Sequence, residues 1–329
     1  MGTPTPRLTS LSSGGGCACK LPPDELRSLI ATLEPADSSL LVGPQTGDDA
    51  AVMAGPTPGQ ANVLTTDFFT PVVDDPYQWG RIAAANALSD VYAMGGTPVM
   101  ALNLLAWPRD VLPIELASQV LLGAQQVCAT ARCAVGGGHS VTAAEPLFGM
   151  AVFGTASTSE LIRIDQAVPG TPLTLTKPLG LGILNAWHRA TGILHHEAID
   201  MMTTLNADAS TAARAAGIVA GTDVTGFGLL GHLLNMCRAS GVSAQIDAKA
   251  VPVLPDAVKA LREGHLPGGS GRNRDSVTDS VDNAAGDEAM AWLCDAQTSG
   301  GLLLAGTIPG HPVIGEITAS DGPSRITVR

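Results

Sequence analysis

Along this chain, short apolar runs closed by Gly or Asp alternate with stripes of helical period, and that alternation, run through twice, most limits the folds open to it. Leu40-Leu41-Val42-Gly43, the Ala50-Ala51-Val52 run after Gly47-Asp48-Asp49, and Val63 to Phe69 read as strands. Asp75-Pro76 then opens a helix, because Asp is a good N-cap and the fixed φ of Pro suits the first turn. Its stripe of Trp79, Ile82, Ala85, Leu88, Tyr92 and Met94 stops at Gly95-Gly96. Val99 to Leu105 predicts a strand, Pro113 to Ala131 a helix and Leu147 to Gly154 another strand. A second round starts near Pro172, with a strand over Leu173 to Thr176 and a helix through Trp187. A Gly-rich turn over Asp223 to Gly228 feeds a helix striped by Leu229, Leu230, Leu233, Leu234 and Cys237, and Leu302 to Ala305 reads as a late buried strand. Gly264 to Asp287 is polar and almost without apolar residues, which predicts a long loop.

At 329 residues the chain exceeds what one core usually serves, so two domains of roughly 150 residues each are expected. Hydrophobic residues at 45% against 15% charged exclude a disordered chain. A net charge of −12 argues against nucleic acid or an anionic membrane as the main partner, since both need a basic face. An acidic chain that handles phosphates must instead recruit cations. Met1 to Gly16 holds one Arg and no apolar stretch of a secretory leader, and no run of ~18 apolar residues suggests a membrane span. With six cysteines and no export signal, a reducing cytoplasm is expected. Residues 1–16, rich in Pro, Ser, Thr and Gly and ending on Ser13-Gly14-Gly15-Gly16, predict a flexible N-terminal arm.

Carboxylates recur at the ends of the expected elements: Asp48-Asp49, Asp67, Asp90 and Asp223. Mg²⁺ is a hard cation that takes one or two carboxylates along with substrate phosphates, so dispersed Asp residues suit it, although each alone can be a cap or a turn residue. Asp90 falls inside a helix, four residues after Asn86 and on the same face, among the small Ala83, Ala84, Ala85 and Ala87. Gly136-Gly137-Gly138-His139 can be a turn or a nest of N–H groups for an anion, and Asp223 to Gly228 a phosphate-accepting helix start or a tight turn. Neither a Walker A loop nor the dinucleotide-binding glycine spacing is present. Cys17-Ala18-Cys19-Lys20 places two thiols beside a cation that lowers thiol pKa and strengthens the thiolate as nucleophile. Zinc is a poor fit: the Cys-x-Cys spacing is short, and Cys128 and Cys133 have no partners at zinc-finger distances.

In order, Gly16-Cys17-Ala18-Cys19-Lys20, Thr46 to Val52, Thr65 to Pro71, Gly80 to Asp90, Gly137-Gly138-His139-Ser140, Thr176 to Gly180, Thr222 to Gly228 and Gln297 to Gly301 resemble the signatures of the selenophosphate synthetases, the selenide, water dikinases. The resemblance runs from about residue 10 to the C-terminus. It implies an α+β protein with the two-domain aminoimidazole ribonucleotide synthetase-like fold, mixed sheets flanked by helices, shared with thiamine-monophosphate kinase and a hydrogenase-maturation protein. After the arm, an ATP-binding and dimerisation domain would span 17–157 and a second domain 158–329. The implied reaction turns selenide, ATP and water into selenophosphate, AMP and orthophosphate in a homodimer. Carried over by motif, Cys17 handles selenium and Lys20 meets ATP phosphate. Asp49, Asp90 and Asp223 hold Mg²⁺. Thr46, Gly47, Asp48 and Asp67 lie around the nucleotide, with Asp90 beside it and Gly137, Gly138 and His139 in contact with ATP. Gly47 stands where some members carry Arg.

Overall fold

The computed structural model describes residues 6–12, 14–16, 23–30, 32 and 39–329. In the first half lie helix α1 (Pro23–Ile30), strands β1 (Leu40–Val42), β2 (Ala51–Ala54) and β3 (Gln60–Phe69), helix α2 (Pro76–Ala93), strand β4 (Thr97–Trp107), helix α3 (Ile114–Thr130), and strands β5 (Ala134–Thr142) and β6 (Leu147–Ser157). The second half holds β7 (Pro172–Leu175), α4 (Leu181–Thr191), α5 (His196–Thr203), α6 (Ala207–Ala215), β8 (Gly221–Asp223), α7 (Gly228–Ser240) and β9 (Ser243–Ile246). It continues with α8 (Pro255–Arg262), α9 (Gly268–Val277), β10 (Val281–Asn283), α10 (Asp287–Leu293), β11 (Leu302–Ala305), β12 (Val313–Thr318) and β13 (Ile326–Val328).

The strands make two mixed sheets. One has the order β1-β2-β3-β6-β4-β5 with β4 and β5 parallel, the other β10-β13-β9-β12-β7-β11-β8 with the β10, β13 and β9 pairings parallel. In β3 the two-residue period is plain: Ala61, Val63, Thr65 and Phe69 are buried while Leu64, Thr66 and Phe68 face outward. Helices α2 and α3 cover the inner face of this sheet.

Helix α2 sets the relation between the halves. Asp75 caps it by accepting from the Gln78 N–H at 3.0 Å, Pro76 occupies the first turn, and Gly95 beyond it has φ +72°. Every residue from Ile82 to Ala93 is buried, as expected of a helix enclosed on all sides. It packs on β3, β6 and α3 of its own half and on α5, α6 and β8 of the other. Glycines allow the closest approach: a Cβ at Gly80 would strike the carbonyl of Val120, and one at Gly123 that of Tyr77.

Three expectations change. The loop predicted over Gly264 to Asp287 contains α9 and β10. The buried face of α9 is Gly269, Ser270, Asn273 and Val277, so its helical period is carried by small and polar residues that an apolar-stripe reading passes over. Gly136 to His139 is neither a turn nor a nest but part of β5, where Gly138, at φ +153°, lets the strand approach Asn103 of β4. Within the segment read as an arm, Leu8–Leu11 forms a 3-10 turn with Leu8 and Thr9 buried, because the Asp74 carboxylate accepts from Arg7 Nε (2.6 Å), Thr9 N (3.0 Å) and Thr9 Oγ1 (2.6 Å). Among the described residues no helix is long and apolar enough to cross a membrane.

Candidate active site

Four of the five expected carboxylates meet polar partners where α2 crosses between the sheets. Thr65 on β3 donates to Asp90 Oδ2 on α2 at 2.5 Å and, more weakly, to the Asp49 carbonyl at 3.4 Å. Asp49 follows the turn after β1 and reaches into the second half: Thr222 Oγ1 donates to its Oδ1 at 2.8 Å, and the Asp223 N–H approaches its Oδ2 at 3.4 Å. Asp223 in turn accepts from Ser89 Oγ, the neighbour of Asp90, at 2.6 Å. Asp67 accepts from Asn86 Nδ2 at 2.6 Å, one turn before Asp90 on the same helix face. Burial pushes the Asp49 carboxyl well above the usual range, and the negative Asp223 beside it acts in the same direction. Asp48 is also raised by burial. Its Oδ1 accepts from the Ile164 N–H at 2.7 Å, while among the described residues its buried Oδ2 has no hydrogen-bond partner.

A belt of neutral groups and one lysine joins these carboxylates to the second half. Asn86, fully buried, also accepts from the Ser299 N–H at 2.7 Å. Asn206 donates to Ser89 Oγ and to the Gly300 carbonyl, both at 2.9 Å. Lys177 Nζ donates to the carbonyls of Thr204 (2.7 Å) and Ser299 (2.9 Å); burial brings its ammonium down to about 7, with Asp223 opposing. The turn that opens α7 is held from behind by His232, whose Nε2 accepts from the Thr225 N–H at 3.1 Å.

With this geometry in place, the chain can be set beside known proteins. Residues 47–156 match the family described as AIR synthase related protein, N-terminal domain, and residues 168–302 its C-terminal domain. A selenide, water dikinase of Yersinia pseudotuberculosis is 47% identical over 310 residues, which cover 93% of this chain and 88% of the relative. One from Aeromonas hydrophila is 48% identical over 304 residues, covering 91% and 88%. This chain belongs to the selenide, water dikinase family. Its fold is that of the aminoimidazole ribonucleotide synthetase-like proteins: the crystal structure of thiamine-monophosphate kinase from Stenotrophomonas maltophilia superposes with a TM-score of 0.63 at 20% identity, covering 92% of this chain and 94% of the other.

Not all the residues expected to serve a selenide, water dikinase are brought together within one chain. Thr46 and Gly47 lie in the turn just ahead of Asp48-Asp49; the Thr46 hydroxyl donates to the Gly43 carbonyl at 3.1 Å, and Gly47, at φ +74°, has open space where a side chain would stand. Gly137, Gly138 and His139 sit on the opposite edge of the sheet from this turn. β5 is three strands from β3, a separation of about 14 Å at the usual inter-strand spacing. Cys17 and Lys20 lie outside the described residues. Among the described residues no group of three or more His, Cys, Asp or Glu side chains is gathered closely enough to hold a metal, so Asp49, Asp90 and Asp223 are neighbours linked through hydroxyls rather than a closed chelate. Cys128, Cys133, Cys237 and Cys294 are buried thiols.

Motif reading did not single out Thr65, Ser89, Asn206 or Lys177 individually. Thr65, Ser89 and Lys177 lie inside the family-like segments Thr65 to Pro71, Gly80 to Asp90 and Thr176 to Gly180, where the one available cue is polarity amid small apolar neighbours. Asn206 lies in no signature, and its partners are more than ninety positions away.

Proposed function

We propose that the chain makes selenophosphate, converting selenide, ATP and water into selenophosphate, AMP and orthophosphate. The observation that carries this is close to half identity, over nine-tenths of the chain, with relatives named selenide, water dikinase. The grouping of Asp49, Asp67, Asp90 and Asp223 where the two halves meet agrees with it.

Phosphoryl transfer asks mainly for positioning and for cancelling charge. The donors on offer are carboxylate oxygens, the chemistry Mg²⁺ prefers, and the structure has two features a divalent cation would relieve: the like-charged Asp49 and Asp223 side by side, and the buried Oδ2 of Asp48, which has no hydrogen-bond partner among the described residues. Asp49, Asp90 and Asp223 would hold Mg²⁺, which when bound offsets the negative charge of the triphosphate. Asp67 and the Thr46 to Asp48 turn border the nucleotide, and Lys20 would bring its ammonium to the phosphates. Cys17 would present selenium, with Cys19 the nearest substitute. Gly137, Gly138 and His139 lie on the edge strand opposite the Asp48-Asp49 turn, and their contact with ATP fits a homodimer in which the partner supplies them. The reduced state expected of the cysteines agrees with a cytoplasmic setting.

The test is ³¹P NMR of the purified protein with ATP and Mg²⁺, with and without anaerobic selenide. A selenophosphate resonance with AMP is expected only when selenide is present, lost in Asp90→Ala and at least tenfold weaker in Cys17→Ser. Consumption of ATP with another acceptor and no selenide-dependent AMP would overturn the reading.

A further inference from the structure

The six cysteines include a pair for which the reaction above has no use. Cys128 lies in the last turn of α3, and Cys133 leads into β5. Helix α3 ends in the backbone pattern that folds a chain back over its own last turn: the Arg132 N–H donates to the Ala129 carbonyl at 3.1 Å, and the Cys133 N–H to the Cys128 carbonyl at 2.8 Å. Arg132, between them, takes φ +55°, the left-handed conformation this ending requires and Gly usually supplies. In this pattern the side chains of the two residues joined by the outer bond meet, and here both are thiols.

The outer bond also limits how far apart the two residues can be. With standard backbone bond lengths, an N–H to carbonyl contact of 2.8 Å holds their α-carbons within about 6.7 Å, inside the ~4.4–6.8 Å that a disulfide spans. The backbone is thus already within disulfide reach.

The described thiols are not alike. Burial pushes Cys237 and Cys294 up to about 12. Hydrogen bonding from Cys128 instead holds Cys133 below a thiol's usual value, against the effect of burial, and the same contact, followed by burial, pushes Cys128 upward. Cys128 is fully enclosed, its Sγ 3.7 Å from Met150 Sδ of β6, whereas Cys133 is 4% exposed and flanked by the exposed Arg132 and Ala134. The thiolate is the reactive form, so Cys133 is the sulfur that attacks and Cys128 the one that resolves.

We propose that Cys128 and Cys133 are a redox-sensitive pair, oxidised by hydrogen peroxide to a reversible disulfide that ties the end of α3 to the head of β5. The Cys133 sulfur attacks one peroxide oxygen: an S–O bond forms, the O–O bond breaks, and the leaving hydroxide takes the Cys133 proton as water. The sulfur gives up two electrons and the peroxide accepts them. The Cys128 sulfur then attacks that of Cys133: the S–S bond forms, the S–O bond breaks, and the hydroxyl leaves with the Cys128 proton as a second water. Two thiols and one peroxide thus give one disulfide and two waters, and a dithiol reductant reverses the change by exchange. Disulfides of reducing compartments are usually of this transient, sensing kind. The pair stands on its own geometry and does not rest on the dikinase reading.

The test is peptide mapping of the full-length chain carrying Cys17→Ser and Cys19→Ser, so that neither of those thiols can exchange with the pair. The folded protein is treated with hydrogen peroxide, alkylated and digested with trypsin. Cleavage after Arg132 puts Cys128 in peptide 110–132 and Cys133 in peptide 133–163, so a linked pair of peptides reports the bond. The linked pair is expected to form at least tenfold faster than Cys237 or Cys294 is modified, and to separate in dithiothreitol. In the oxidised chain the Cys133 amide should exchange at least threefold more slowly. Cys128→Ser should leave a sulfenic acid on Cys133 that dimedone traps, and Cys133→Ser should leave Cys128 unmodified. Where either variant misfolds, the kinetics of the linked pair decide alone. Absence of the linked pair, modification of Cys237 or Cys294 at an equal rate, oxidation of Cys128 in folded Cys133→Ser, or unchanged exchange at Cys133 would overturn the proposal.

Discussion

Asn86 holds two parts of the candidate site at once, since its Nδ2 donates to Asp67 and its Oδ1 accepts from the Ser299 N–H, in a position with no solvent exposure. Truncating it removes a charge-assisted bond and leaves a buried N–H without its partner; losses of this kind cost ~1–3 kcal/mol each. Asn86→Ala should therefore lower stability by about 3 kcal/mol and the unfolding temperature by roughly 6–12 °C, read by calorimetry. A shift inside experimental scatter would mean that Asp67 and Ser299 find other partners. The sequence put Asn86 on the face of Asp90 by its four-residue spacing, and that much could be read from period alone. Its partner Ser299, 213 positions away, could not. Ser299 also has φ +52°, uncommon for a residue with a side chain, and nothing local in Gln297-Thr298-Ser299-Gly300-Gly301 announces it.

At the scale of elements, the piece that departs furthest from its sequence reading is the N-terminal 3-10 turn. Besides Arg7 and Thr9, Asp74 faces His188 Nε2 of α4 at 3.2 Å, so one carboxylate pins the turn to both halves of the molecule. Burial pushes Asp74 upward, but the His188 imidazole beside it and the hydrogen bonds from Thr9 and Arg7 outweigh it and hold the group well below its ordinary value of 3.8. The folded chain thus binds this proton less readily than the unfolded one: the contribution of Asp74 is full above pH 3.8 and fades as pH falls through the depressed value. Asp74→Ala at neutral pH should speed amide exchange at Thr9 and Ser10 at least tenfold while leaving β3 amides unchanged. Equal exchange in both proteins would mean the turn is held by burial of Leu8 and not by Asp74. Elements were legible where a local cue and an apolar period coincided, as in α2 with its Asp75-Pro76 start and in β3 with its alternation. They were lost where the anchor is distant, as for the N-terminal turn, or where the buried face is Gly, Ser and Asn, as in α9. There, packing against α7 and the hydrogen bonds from Asn273 to the Gly226 and Cys294 carbonyls replace apolar burial.

For the whole molecule, the open face of the six-stranded sheet decides what the chain can be in solution. Strand register aligns Ala51, Leu64, Phe153 and Met100 in one row across β2, β3, β6 and β4, and Phe68, Gly149 and Leu104 in another. Leu102 opposes Ala151 between them. Leu64 is 57% exposed, Phe68 51% and Leu102 40%, a contiguous apolar surface of the kind that marks an interface. The face opposite carries α2 and α3, so this is the side of the first sheet still available to a second copy. Such a pairing is isologous, with the same rows meeting across a two-fold axis. It would also bring the exposed β5 edge, with Gly137 to His139, toward a neighbouring chain. The chain should sediment as a dimer, and Leu64→Glu together with Leu102→Glu should convert it to a folded monomer by burying two carboxylates at that face. The site can be probed separately: if the partner supplies His139, the monomer should lose selenide-dependent AMP formation, and mixing it with an Asp90→Ala dimer should not restore activity, because the altered face cannot pair. A wild-type chain that sediments as a monomer would remove both the dimer and the partner-supplied contact.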